Sequence, residues 1–419
     1  MSEIRSYHDQ LAELAAQLLE RGSLGVVLLD CSSFEAIEEE YSSDAFEEVR
    51  QRVLRILGEQ RGKDYRATDV VALQEPGSLR FLFFLDKKRR QNLPVSVADL
   101  RAARNRFVTA LLPALGRAAF PYRKSAPRMH LGYGIAVHNP LLGTQRVLAR
   151  AFRDAIEVAA LDRRADELQT LEKVQDLLVR ERIVTAYQAI MRMPDRSVMA
   201  YEGLSRGARG TGLETAGALF GAAEAHGYDV ELDRLCRSRA LLSSSRIPAT
   251  ARIFVNTLPT TIRDPLFRGK PLIDFLGRAN VAPNRIVIEI TEKLVIENYS
   301  LFQETMAYFT DLGMNFAVDD VGAGYSGLEA IARLKPAFLK IDMALVRDVH
   351  VSLVNREMCK AIISLGHGTG AAVIAEGIQT EEEFGALLEM DVDYGQGFLL
   401  ARPEAGPEPT YVAYLRGGR

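Results

Sequence analysis

Cysteine is scarce in the 419-residue chain: Cys31, Cys236 and Cys359 stand far apart with no CxxC pair. That excludes a disulfide framework and a thiolate zinc site, and fits a reducing compartment. The six histidines show no metal-ligand spacing. No run of about 18 apolar residues occurs anywhere. The opening MSEIRSYHDQLAEL carries charges where a signal peptide needs an apolar core, so a cytoplasmic protein without membrane contact is expected. Charge of one sign is lacking too: 52 Lys and Arg against 55 Asp and Glu leave −3, no field for a polyanion, and direct DNA binding is not expected. Lys87-Lys88-Arg89-Arg90 is the one basic run and reads as a solvated loop.

The composition is globular, 47% hydrophobic and 26% charged, and the length suits two or three domains. Ile4, Tyr7, Leu11, Leu14 and Leu18 recur at helical spacing up to Arg21-Gly22. A strand over 24–30, a helix over 34–57, strands Val70–Leu73 and Leu79–Leu85 about the turn 75–78, a helix over 97–115, a strand over 130–137 and a helix over 144–161 follow. This β-α-β-β-α-β order predicts an α+β domain over 1–161. Residues 162–182, charged with helically spaced Leu and Val, read as a linker helix, with a boundary near 170.

Over 183–419 the pattern becomes an alternation of about eight short apolar strands with helices, the rhythm of a (β/α)8 barrel. The strands fall at 183–190, 197–204, 252–255, 285–290, 315–320, 338–342, 372–376 and 394–399. A doubly wound open sheet is the alternative, but no GxGxxG follows any strand.

Barrel chemistry sits at the C-terminal ends of the strands, and these ends are repeatedly acidic or amide. They carry Glu202, Asn256, Glu289 with Glu292, Asp319-Asp320, Lys340 with Asp342, Glu376 and Gln396. Carboxylates so crowded need compensation, and an all-oxygen set suits two Mg²⁺ or Mn²⁺ ions rather than zinc or copper. Such a pair of ions serves phosphodiester hydrolysis.

At these residues the chain resembles the EAL-domain family, phosphodiesterases of the bacterial second messenger cyclic di-GMP. The resemblance covers roughly 170–410. Glu202-Gly203-Leu204 stands for the family's Glu-Ala-Leu, Asp319-Asp320-Val321-Gly322-Ala323-Gly324-Tyr325-Ser326 for its DDFGTGYSS loop, and Ala375-Glu376-Gly377-Ile378-Gln379-Thr380 for AEGVET. It implies metal ligation by Glu202, Asn256, Glu289, Asp319, Asp320 and Glu376. It implies substrate contacts from Gln188, Arg206 and Gln396. The catalytic set would be Lys340, orienting or deprotonating the attacking water, with Glu376 and with Glu292 anchoring the 321–326 loop. Asp342 would support the ligands from behind.

Three positions depart from the family pattern: Gln379 for Glu, Val321 for Phe and Ala189 for Pro. Gln379 loses a charge, so a catalytically silent cyclic di-GMP receptor, signalling through a protein partner, is the alternative; an unrelated metal-dependent lyase barrel is more distant. The first domain resembles a degenerate GGDEF diguanylate cyclase. Its signature turn reads Gly77-Ser78-Leu79-Arg80-Phe81, Asp30 survives, and Ser32 stands where a further Asp is usual. The resemblance implies a retained fold, lost cyclisation and a regulatory role. Arg66-Ala67-Thr68-Asp69 fits the RxxD inhibitory-site pattern but reads more simply as a surface turn. A homodimer is a further expectation.

Overall fold

A computed structural model describes residues 4–85, 94–120, 122, 128–258, 264–291, 299–322 and 334–405. Glu292, the 87–90 basic run and loop residues Ala323 to Ser326 lie outside the described residues. The chain divides into two compact units, Met1–Gln169 and Thr170–Arg419. Among the described residues no helix is long and apolar enough to cross a membrane.

The first unit is built on four antiparallel strands, β1 (Ser23–Asp30), β2 (Val70–Leu73), β3 (Arg80–Leu85) and β4 (His130–Val137), in the order β2-β3-β1-β4. Every residue of β1 is buried, because period-two alternation sends Val27 and Leu29 into one core and Val26 and Leu28 into another. Helix α1 (Leu11–Arg21), closed by Gly22 at φ 75°, covers one face; α2 (Ser43–Gln60) and α3 (Val97–Arg106) cover the other.

The helix expected over 97–115 is interrupted: α3 gives way to a π-helical turn, Phe107–Leu111, before helix resumes at Leu112. Pro113 explains this, since it has no N–H to donate and its ring crowds the carbonyl one turn back. The expected helices over 144–161 and 162–182 are one helix, α4 (Thr144–Val179), which crosses the boundary between the units. No glycine or proline occurs between those ends to stop it.

Gly132 and Gly134 of β4 let α4 pack at backbone distance. A Cβ at Gly132 would lie 1.8 Å from Ala155 O, and one at Gly134 2.1 Å from Ala151 O. Ala151, Ala155 and Ala159, one turn apart, form the small-residue stripe that meets these glycines.

The second unit is a closed barrel of β5 (Ile183–Arg192), β6 (Val198–Gly207), β7 (Arg252–Asn256), β8 (Ile286–Thr291), β9 (Asn315–Val321), β10 (Phe338–Ile341), β11 (Ala372–Ala375) and β12 (Tyr394–Gly395). Pairing of β12 with β5 shuts it, and a short β13 (Glu404–Ala405) also pairs with β5. Strand β5 runs antiparallel to both neighbours while β6 to β12 are parallel, so the barrel departs from a uniform β/α alternation at its first strand. The cause is local: only the short turn between Arg192 and Val198 joins β5 to β6, too short for a parallel crossover.

Alternation along each strand places the site. Ile190, Ala200, Phe254, Val287, Ala317, Phe338 and Ile374 form the apolar cluster inside the barrel. The next residue of the same parity toward the rim is Gln188, Glu202, Asn256, Glu289, Asp319, Lys340 or Glu376 respectively. Intervening residues such as Val255, Ile288, Val318 and Leu339 pack in the outer core beneath the helices.

Candidate active site

Lys340, on β10, is fully buried at the centre of the polar layer. Its Nζ lies 2.5 Å from Glu376 Oε1, 2.6 Å from Glu289 Oε1, 3.2 Å from Asp319 Oδ1 and 3.6 Å from Glu202 Oε2. Burial opposes its charge, but these carboxylates outweigh burial and hold it protonated well above the ordinary lysine range.

Glu202 is the hub of a second set of contacts. Asn256 Nδ2 donates to its Oε1 at 2.9 Å and Gln396 Nε2 to its Oε2 at 2.7 Å; Gln396 Nε2 also reaches Gln188 Oε1 at 3.1 Å. Gln188 Nε2 in turn donates to Ala401 O. Burial works against the Glu202 charge, yet Lys340, Gln396 and Asn256 hold its carboxyl below the usual range.

Asp319 and Asp320 are neighbours in one strand, where alternation would send them to opposite faces. The backbone prevents it. Asp320 has φ 57°, and the β9–β10 register shifts between Leu339 and Ile341, a local irregularity that re-aims the side chain. As a result Asp319, Asp320 and Glu376 bring one carboxylate oxygen each within 4.8 Å of one another. Burial, then Asp319 and Asp342, push the Asp320 carboxyl up to about 6. Asp342 itself accepts from Ala344 N at 2.8 Å and caps the short helix that follows β10.

Five carboxylates, Glu202, Glu289, Asp319, Asp320 and Glu376, thus face one ammonium. Burial and the neighbouring acids push the Glu289 and Glu376 carboxyls above their ordinary values. Among the described residues both Glu289 oxygens are buried without a hydrogen-bond donor; the Lys340 approach is close but lacks hydrogen-bond direction. An oxygen-only, anionic donor set with orphaned carboxylate oxygens fits hard divalent cations.

A cavity of about 330 Å³ opens beside this cluster, lined in part by Glu202, Arg206, Asn256 and Glu289. Arg206 is half-buried, and its Nη1 donates to Ser205 O at 2.9 Å. Asp233 and Arg237 also line the cavity, from α6 (Asp229–Leu242), which follows α5 (Ala216–Glu224). A reading of strand ends passes over both residues. Their signal is the i,i+4 charge pair on a face otherwise made of Leu232, Leu235, Cys236 and Ala240.

Gln379 is exposed, outside the carboxylate cluster; its backbone N–H donates to Glu383 Oε2 at 2.8 Å within the cap of α7 (Glu381–Glu389). In the first unit Leu79 is fully buried, and Arg80 Nε lies 3.2 Å from Asp30 Oδ2. Asp69 accepts from Arg66 N at 2.7 Å, which closes its own turn.

The EAL domain model matches residues 171–403, more than half of the chain. The chain belongs to the EAL-domain family. Among curated proteins it is 26% identical over 400 residues to the cyclic di-GMP phosphodiesterase NbdA of Pseudomonas aeruginosa, covering 91% of this chain and 48% of that protein. It is 36% identical over 133 residues to the cyclic di-GMP phosphodiesterase PdeR of Escherichia coli, 31% of this chain and 20% of that one. The chain therefore spans about half the length of NbdA and less of PdeR. Among solved structures, the PaMucR phosphodiesterase in complex with c-di-GMP matches with TM-score 0.52 and 25% identity over 56% of this chain and 97% of that one. The EAL domain of FimX from Xanthomonas citri, also a c-di-GMP complex, matches with TM-score 0.53 and 21% identity over 60% and 98%, which supports the fold alone.

Proposed function

We propose that the EAL barrel of this chain hydrolyses cyclic di-GMP to the linear dinucleotide with two divalent cations, Mg²⁺ or Mn²⁺. The observation that carries this reading is the convergence of Glu202, Asn256, Glu289, Asp319, Asp320 and Glu376 around Lys340 at one rim of the barrel. Asp319, Asp320 and Glu376 would hold one ion and Glu202, Asn256 and Glu289 would complete the set. Bound cations of this kind polarise a phosphoryl oxygen and make a water acidic enough to attack at neutral pH.

The remaining steps fall to the chain's own groups. Lys340, held as an ammonium, donates hydrogen bonds and so orients a water rather than taking its proton. Gln396 and Gln188 fix Glu202 and offer amides to the ligand. Arg206, at the cavity wall, would pair with a phosphate oxygen. The first unit would act as a regulator derived from a GGDEF fold, a reading supported by its β-α-β-β-α-β order. Incubating the purified chain with cyclic di-GMP and Mg²⁺ or Mn²⁺, then separating the products, tests the proposal: linear dinucleotide supports the hydrolase, and bound but intact cyclic di-GMP supports a receptor.

A further inference from the structure

Arg237 is an arginine placed where a helix facing a barrel would ordinarily carry an apolar residue. Its side chain is 2% exposed, and its guanidinium carbon lies 4.2 Å from the centre of the Phe267 ring. Its Nε is 3.0 Å from Asp233 Oδ2 and its Nη2 3.5 Å from Asp264 Oδ2. Asp264 is already held by the fork of Arg234, at 2.7 and 2.8 Å, so its neutralisation does not depend on Arg237. Nη1 of Arg237 is buried and has no acceptor among the described residues. A buried donor left unmet is costly, and structures keep one chiefly where a ligand or water completes it.

The cavity is the space from which an acceptor can reach it, since Arg237 lines it together with Glu202, Arg206 and Asn256. At about 330 Å³, with Phe220, Ala216 and Leu258 on its walls, this space is at the small end of ligand clefts and suits one planar base. A guanidinium held by a ring on one side and carboxylates at its edge is preorganised to read an acceptor edge. Guanine offers such an edge in O6 and N7; adenine turns an amino donor toward the guanidinium at position 6.

We infer that Arg237 is a specificity-determining residue which donates from Nη1 to the O6/N7 edge of one guanine, a role that rests on the cyclic di-GMP reading of the site. Cyclic di-IMP and cyclic di-AMP isolate this contact, because hypoxanthine keeps O6 and N7 while adenine does not keep O6. In equilibrium binding to the full chain, cyclic di-IMP should bind about tenfold to a hundredfold more tightly than cyclic di-AMP. Arg237→Met should bring that ratio to within about threefold of unity, and Arg237→Lys, which restores a charged donor, should recover part of it. A parent ratio near unity overturns the inference whether or not the variants fold. So does an Arg237→Met protein, folded by circular dichroism, that keeps the parent ratio. Binding that discriminates through Arg237 but yields no product removes the hydrolase reading and leaves the base contact standing. Absence of binding by cyclic di-GMP, cyclic di-IMP and cyclic di-AMP alike overturns both.

Discussion

Asp320 donates its backbone N–H to the side-chain Oδ1 of Asp319 at 3.0 Å. Two consecutive strand residues are thereby turned toward the same rim, a placement that needs the positive φ of Asp320 and the register shift beside it. Non-glycine residues in that backbone region carry strain of about 1–3 kcal/mol, which persists at functional sites where surrounding structure enforces it. Here it places Asp319, Asp320 and Glu376 within reach of one cation.

Asp319→Asn removes one of these charges and weakens a contact to Lys340. Loss of a group that only supports a metal ligand costs about 10–100-fold, so loss of a ligand should lower turnover by more than about 100-fold. Cyclic di-GMP should still bind through Arg206 and Gln188. Steady-state turnover and equilibrium binding, measured on the same preparation, check both parts; parent-level turnover removes Asp319 from the metal set.

The acidic cluster makes stability depend on pH. The Asp320 carboxyl is raised from its ordinary value to about 6, and Glu289 and Glu376 are raised as well. The folded chain therefore holds these protons more tightly than the unfolded chain, so the stabilisation is complete below about pH 4 and is lost as pH rises through about 6 for Asp320 and about 8 for Glu376. Melting of metal-free protein should fall between pH 5 and pH 8. Mg²⁺ at a hundred times its pH 8 dissociation constant should return about 2.7 kcal/mol at pH 8, and the same concentration should return less at pH 5. A gain independent of pH would contradict cation binding by these carboxylates.

Gly132→Ala tests the packing of α4 on β4. Its Cβ would meet Ala155 O at 1.8 Å and Ala159 N at 2.7 Å, backbone atoms that cannot rotate away. Overpacking of this kind costs at least about 1–3 kcal/mol, read by chemical denaturation of the first unit's transition. Gly221→Ala, in α5 with open space at its Cβ, is the matched control and should stabilise by about 0.4–1 kcal/mol.

Arg80 pairs with Asp30 where the sequence resemblance places the cyclase signature turn. Burial opposes the Asp30 charge, but Ser32 and Arg80 hold its carboxyl below the usual range. The Arg80 guanidinium thus neutralises Asp30, and Leu79 is packed into the core. GTP with Mg²⁺ should yield no cyclic di-GMP, while removal of residues 1–165 should change turnover or affinity in the barrel. Detectable synthesis would contradict loss of cyclisation, and unchanged kinetics would reduce the first unit to a scaffold.

Much of the polar layer was legible because strand parity is written in the sequence. Phe254-Val255-Asn256 and Phe338-Leu339-Lys340 each show an interior apolar residue two positions before a rim residue. The antiparallel sense of β5 was less legible, since alternation does not encode strand direction; only the five residues between Arg192 and Val198 point to a hairpin. Asp320 breaks parity through a backbone irregularity that no residue pattern announces. Arg237 and Asp233 belong to a helix, where burial depends on tertiary packing and a charged pair ordinarily faces solvent. Gln379 departs from the family pattern by losing a charge, yet its side chain is exposed and its backbone serves the cap of α7.

The central claim, that this barrel is a metal-dependent hydrolase, is tested most directly by product analysis of the full chain with cyclic di-GMP across a Mn²⁺ titration that begins in chelator. Linear dinucleotide should be absent in chelator and should accumulate with a saturable dependence on Mn²⁺. Cyclic di-GMP that is bound by the folded protein and recovered intact at every Mn²⁺ concentration would contradict it.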